Sequence, residues 1–404
     1  MVKETHVTLS LPKGMKQTEF GLIPEDWISG DFVEFIDGFS SGMTPYRAIK
    51  EYYIGNIPWI TSGELNYNII TETHEYINED AVRKTNLKII PEGTFLMAIT
   101  GLEAAGTRGS CAITGISATT NQSCMALYPK KGVLNTSYLF QFYTRYGDEL
   151  AIKYCQGTKQ QSYNAVTAKK LPIIFPKSLA EQEAIADALS DCDAWIESLE
   201  AVIAKKRLIK QGAMQELLTP KEDWEVKKLG EVCEIIMGQS PLSQFYNNAG
   251  KGLPLVQGNA DINNRKTIIR NYTSQITKRG KVGDVIMSVR APVGEIATAT
   301  FDCCLGRGVC AFRTDNYFLY HLLIYKESDW GQFSTGSTFD SVNSNQIREL
   351  EIIIPKTLSE QTRIATVLSD MDAELEALGQ KLNKARQIKQ GMMQELLTGR
   401  VRLV

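Results

Sequence analysis

The chain has 404 residues, 43% of them hydrophobic and 22% charged, with a formal net charge of -2; that length exceeds one ordinary domain and supports a core without cross-links. A balance so near neutral singles out no polyanionic partner, and eight cysteines with no C-x-x-C pair, beside three histidines, lack zinc-site spacing and fit reduced thiols. The opening MVKETHVTLS has no apolar signal core and no run of about 18 apolar residues occurs, so a soluble, cytoplasmic protein with no membrane partner is expected.

The first segment, residues 1–175, carries IPEDWISGDFVEFI around Trp27 and GTFLMAITGLEAAG at 93–106. Its β-branched runs broken by Gly, Asn and Pro predict a twisted, largely antiparallel sheet, with a helix near 136–154. LPIIFP closes it as a strand. Ser178 with Glu181 three residues on reads as a capping box. Apolar residues then recur in steps of four and three at Ile185, Leu189, Cys192, Ile196, Leu199 and Ile203. That narrow seam predicts one long helix within 176–220, ending in IKQGAMQELLT. The second segment, 221–354, restarts with TPKEDWEVKKLGEVCEII, which aligns Trp224 with Trp27, and GDVIMSVRAPVG (283–294) repeats the glycine–strand–glycine pattern. GTKQQSYNAVTAKKLPIIFP and GSTFDSVNSNQIRELEIIIP align Gly157 with Gly336. The last segment, 355–404, has its own capping box at Thr357 and Glu360, a seam at Ile364, Leu368, Met371, Leu375, Leu378 and Leu382, and IKQGMMQELLT.

The chain is therefore a duplicated half-protein with a constant offset, 350 - 171 = 398 - 219 = 179. The helices repeat closely while the segments before them differ freely. Each seam needs a partner: the equivalent helix is the cheapest one, and separate packing of each helix onto its own module is the alternative. The expected fold is α+β: two mixed, sheet-containing modules joined by two long helices in an antiparallel coiled coil with pseudo-two-fold symmetry.

A repeated scaffold with divergent modules suits recognition of two different features. The oppositely running strands of duplex DNA have matching geometry. In the second module Arg265, Lys266, Arg270, Lys278, Arg279, Lys281 and Arg290 outnumber Asp261 and Asp284, with Asn259, Asn263, Asn264 and Tyr272 among them. Such a stretch suits phosphate neutralisation and base-edge hydrogen bonding, or simply a solvated charged face. In the more acidic first module the candidates are Arg47, Thr61, Ser62, Thr100, Arg108, Asn121, Gln122, Gln160 and Tyr163. Arg290 follows an apolar strand where the first module has Thr100; it suits a base edge or an ion pair with Glu295. Catalytic signatures are missing: neither N-P-P-F nor D-P-P-Y occurs, nor a phosphate loop, and AGKGLP lacks its spacing. The metal and catalytic sets are empty, and no enzyme activity is expected of this chain.

The order of variable module, P-x-x-L-[AS]-E-Q-x-x-I-A helix and K-Q-G-x-M-Q-E-L-L-T resembles the DNA specificity subunits of Type I restriction–modification enzymes, as do FGLIPEDW and LLTGRVRL. The resemblance implies two target recognition domains, 1–175 and 221–354, each reading half of a bipartite, asymmetric duplex site. The conserved helices at 176–220 and 355–404 would act as spacer. It also implies two methyltransferase subunits, which would bind S-adenosylmethionine, and restriction (motor) subunits as partners. A coiled-coil scaffold carrying two protein-binding modules is the competing expectation.

Overall fold

In the computed structural model, residues 12–104, 106–155, 161–328 and 342–403 are described; Gly157, Gln160 and Gly336 lie outside them. The chain forms two compact units, Met1–Leu199 with Leu382–Val404, and Glu200–Lys381. Each unit holds one α+β module and a part of both long helices, which run from Leu179 to Leu218 and from Leu358 to Leu396.

In the first unit, five strands follow the order Ile36–Ser41, Cys124–Pro129, Phe95–Ala98, Cys111–Thr114 and Asn68–Ile70. All pairs are antiparallel except the last, where Asn68–Ile70 runs parallel to Cys111–Thr114. Phe95–Ala98 is buried at every position, the burial of a strand covered on both faces. The helix expected near 136–154 is Thr136–Tyr154, capped by Asn135, whose side chain accepts from the Tyr138 N–H at 3.0 Å. Its Tyr143 ring stands edge-on to Phe95 at 5.6 Å. A smaller sheet of Thr119–Thr120, Ile57–Ile60 and Tyr76–Ile77 carries the buried Trp59.

The second unit builds on a six-stranded sheet whose inner strands are Val309–Arg313, Val285–Ser288, Ile296–Thr298 and Lys266–Thr267, beside a five-stranded sheet containing Leu253–Val256 and Cys303–Leu305. The IIFP and IIIP runs are strands that return to the start of their own modules. Pro172–Phe175 pairs with Ile28–Asp31, and Glu351–Ile354 with Glu225–Lys228. Each long helix therefore leaves from the point where its module began.

The first seam residues do more than meet a helix. Ile185 and Leu189 lie in the first module's core with Met393, Leu396 and Leu397. Ile364 and Leu368 lie in the second module's core with Leu218 and Trp224. Further along, Leu199 and Ile203 are buried, whereas Ile196, Leu375, Leu378 and Leu382 are half-buried.

The capping boxes take a different form from the one expected. The Thr357 hydroxyl accepts from the Glu360 N–H at 3.3 Å, but both carboxylates turn to cations. Glu181, buried, holds Arg402, which also forks onto Asp26 at 2.9 and 3.1 Å. Glu360 meets Lys221 at 3.4 Å. A cation offers the carboxylate a full opposite charge, where a backbone amide offers only a dipole. The following glutamines tie each helix start to its module: Gln182 donates to Val133 O and Pro176 O at 2.9 and 2.8 Å, and Gln361 donates to Pro355 O at 2.7 Å.

Gln141 and His321 hold equivalent places above these helices. Gln141 Nε2 donates to Ser190 Oγ at 3.4 Å and Asp193 Oδ2 at 3.3 Å. His321 Nε2 lies 3.0 Å from Ser369 Oγ, and its Nδ1 lies 3.9 Å from Asp372. Burial pushes the His321 imidazole down to about 4 against the opposing pull of Asp372, so the folded chain holds it neutral. Above about pH 6.5 both folded and unfolded rings are neutral, and the folded state loses nothing. As pH falls from 6.5 toward 4, the unfolded chain takes up a proton that the folded chain refuses. Between pH 7 and 5 this costs about 2 kcal/mol. His321→Gln, copying the first module, is expected to remove that slope in urea unfolding measured at both pH values; an unchanged slope refutes the assignment.

Candidate functional site

In the second module, four chain segments are laced together at one end of the sheets. Val289 N–H donates to Gly308 O at 2.9 Å, Gly306 N–H to Val256 O at 2.8 Å, and Gln239 N–H to Leu305 O at 2.8 Å. Arg307 N–H donates to Ser240 Oγ at 3.1 Å. Arg290 and Arg307 thus stand on neighbouring turns, both exposed. The glycines beside Arg307 are dictated by close approach. A Cβ on Gly308 would sit 2.0 Å from Gln257 O, and one on Gly306 would sit 2.9 Å from Gln257 Cγ. Gln257 is itself fixed, donating from its backbone to Asp261 at 2.7 Å and from Nε2 to Tyr246 Oη at 2.8 Å.

The first module builds the same lacing with other side chains. Ile99 N–H donates to Ser123 O at 2.9 Å, Asn121 N–H to Ile60 O at 2.9 Å, and Met43 N–H to Thr120 O at 3.0 Å. Thr61 donates to Glu64 through both N–H (2.7 Å) and Oγ1 (2.8 Å), and Thr44 Oγ1 donates to Gln122 Oε1 at 2.6 Å. Matching bond to bond aligns Thr61 with Gln257, Thr100 with Arg290, Gln122 with Arg307 and Thr44 with Ser240. Thr100 also bridges to Ser162.

Other cations proposed from sequence are already engaged. Arg47 forks onto Glu75 at 3.0 and 2.7 Å and stacks on Tyr53 and Trp59. Arg108 donates to Leu102 O and Glu103 O, each at 3.0 Å. Arg265 forks onto Glu327 at 2.5 and 2.7 Å, Lys266 meets Glu376 at 2.6 Å, and Arg279 meets Asp302 at 2.8 Å. Arg270 lies 3.9 Å from the buried Asp261. Asn263, Lys278 and Lys281 are exposed, Ser62 and Asn121 are half-buried, and Tyr163 is buried. Tyr163 therefore faces the core, not a ligand. Asn264 and Arg265 take positive φ values of 48° and 62°, the two central positions of a hairpin turn of type I′. Arg290 makes no ion pair with Glu295. Arg307 was not singled out in the sequence; its signal was an arginine between two glycines directly before a buried strand.

Among the described residues no cluster of metal-ligating side chains occurs, and no helix is long and apolar enough to cross a membrane. The family model for the Type I restriction modification DNA specificity domain matches residues 24–206 and 221–387. A Methanocaldococcus jannaschii protein, provisionally named the type I restriction enzyme MjaX specificity subunit, is 28% identical, with 97% of each chain covered. The type I restriction enzyme MjaIX specificity subunit of the same organism is 27% identical over 84% of this chain and 85% of its own. The crystal structure of a Type-I restriction-modification S subunit from M. genitalium shares the fold at a TM-score of 0.64, with 17% identity over 96% of this chain and 98% of that one.

The lacing predicts its own weak point. Gly308→Ala forces the Gln257 backbone to move and is expected to cost about 1–3 kcal/mol, the usual range for overpacking. Thermal unfolding of the variant measures it. An unshifted transition would show that the turn yields freely.

Proposed function

We propose, for a chain that belongs to the Type I restriction modification DNA specificity family, that each of its two modules reads one part of a bipartite, asymmetric duplex target through the laced turns. The chain is the specificity subunit of a Type I restriction–modification enzyme, and its part is DNA recognition. The observation that carries the division of labour is the pair of rims with equivalent backbone bonds and different side chains. A shared backbone gives both modules one way of approaching a groove, and the exchanged side chains give each its own bases.

The division into recognition domains at 1–175 and 221–354, with conserved helices at 176–220 and 355–404, follows from the repeat. Ion pairs at equal offset support antiparallel, pseudo-two-fold pairing of the helices as a coiled coil. Asp193 pairs with Lys389 and Asp372 with Lys210, where 372 - 193 = 389 - 210 = 179. Exposed apolar side chains on these helices, among them Leu208, Ile209 and Ile388, favour protein partners along them. Two methyltransferase subunits, holding S-adenosylmethionine, and restriction subunits fill that role. Methylation and cleavage belong to them, and this chain carries neither reaction.

Selection of duplexes from a random library by the complex with its cognate methyltransferase tests the reading. A two-part motif is expected. Replacing residues 30–160 with the matching segment of a relative is expected to change one part and leave the other. A swap that alters both parts, or enrichment of no motif, overturns it.

A further inference from the structure

Three of the seven arginines of the second module have their guanidiniums held by carboxylates: Arg265 by Glu327, Arg279 by Asp302, and Arg313 by Asp284 and Glu234. Arg307 is different. Its backbone is pinned by Ser240 and by two glycines pressed against Gln257, while its guanidinium makes no ion pair or hydrogen bond to a described residue. A fixed Cα with a free, planar, five-donor head is a partly preorganised reader: the backbone is already ordered, and only the side chain has freedom left to lose on binding.

Two uses compete for such a head, a phosphate and a base edge. Phosphates are present wherever DNA is, so a position that serves to neutralise one needs a cation in both modules, whereas a neutral Thr or Gln can hold a phosphate only by hydrogen bonding. The equivalent place in the first module holds Gln122, an exposed neutral amide anchored by Thr44. Beside it, the place of Arg290 holds Thr100. Both positions exchange one hydrogen-bonding head for another and abandon charge in doing so. That pattern fits base discrimination, where arginine selects guanine through O6 and N7.

We propose that Arg307 reads a guanine in the half-site of the second module beside Arg290, and that Gln122 and Thr100 hold the two equivalent reading positions in the first. The proposal rests on the reading that these modules bind DNA. Its test uses the whole complex with the cognate methyltransferase, a randomised duplex library, and two salt concentrations. Wild type is compared with Arg307→Gln, which imports the first module's residue, and Arg307→Lys, which keeps the charge and loses the fork. Arg307→Gln is expected to lose guanine preference at one base pair of one half-site by roughly 5- to 150-fold, and Arg307→Lys, whose ammonium can still donate to O6 or N7, to lose part of it, the other half-site being unchanged in both. Arg307→Lys is expected to keep the wild-type salt slope. Thermal unfolding at the wild-type temperature accompanies this, since the side chain is exposed. Uniform weakening across all sequences, with a shallower salt slope in Arg307→Gln alone, would identify a phosphate contact and overturn the proposal. Unchanged selectivity in both variants overturns it as well. A wild-type complex that enriches no motif would instead remove the DNA-binding reading, and the proposal with it.

Discussion

The leucine pair that ends each long helix must be buried, and its own helix offers no place for it. Leu396 and Leu397 enter the first module's core, and Leu218 enters the second's with Leu217 packed against it. At about 1.5–3 kcal/mol per fully buried leucine side chain, these contacts outweigh the aspartate–lysine pairs nearby. Those pairs remain partly exposed, and such pairs contribute at most about 1 kcal/mol. Burial therefore holds the helix ends, and the ion pairs choose among registers. Asp193 with Lys389 in the first unit and Asp372 with Lys210 in the second are the same pair repeated, each aspartate and each lysine 179 residues from its counterpart.

This constraint explains the one difference between the repeated undecapeptides. Met392 stands where the first copy has Ala213. In the first unit Met392 Sδ meets Cys192 Sγ at 3.4 Å. The positions 179 residues away from that pair are Met371 and Ala213, both packed against the second core. Each unit thus combines one methionine with one small residue, and the methionine has changed helix. Two methionines would overfill that layer, and two small residues would leave a void. The exchange conserves volume within each unit while leaving the rest of the repeated undecapeptide unchanged.

Periodicity made the helices and strands legible, because it reports which face of an element must be buried. The repeat offset made the modules legible for the same reason: equivalent elements carry equivalent apolar faces. The candidate site was only half legible. Thr61, Thr100 and Gln122 could be chosen because they flank apolar strands, and the structure brings them to one rim. Charge density misled where the partner lay far along the chain. Arg265 looked free until Glu327, 62 residues on, was placed against it, and the hydroxyl of Tyr163 looked available although the ring is buried. No local pattern announces such partners. Arg307 escaped notice for the opposite reason: it belongs to no basic cluster, and only the packing of its flanking glycines reveals that it is held in place.

A formal charge of -2 is an odd property for a DNA reader until the charges are sorted by use. Lys206, Lys210 and Lys389 bind the helices to each other within their units, Arg402 binds the end of the chain to Asp26 and Glu181, and Arg265 closes a turn onto Glu327. These cations are neutralised in place and contribute little field beyond a Debye length of about 10 Å. Other exposed cations, among them Lys278, Lys281, Arg290 and Arg307, make no ion pair with a described residue. The near-neutral composition is therefore consistent with recognition.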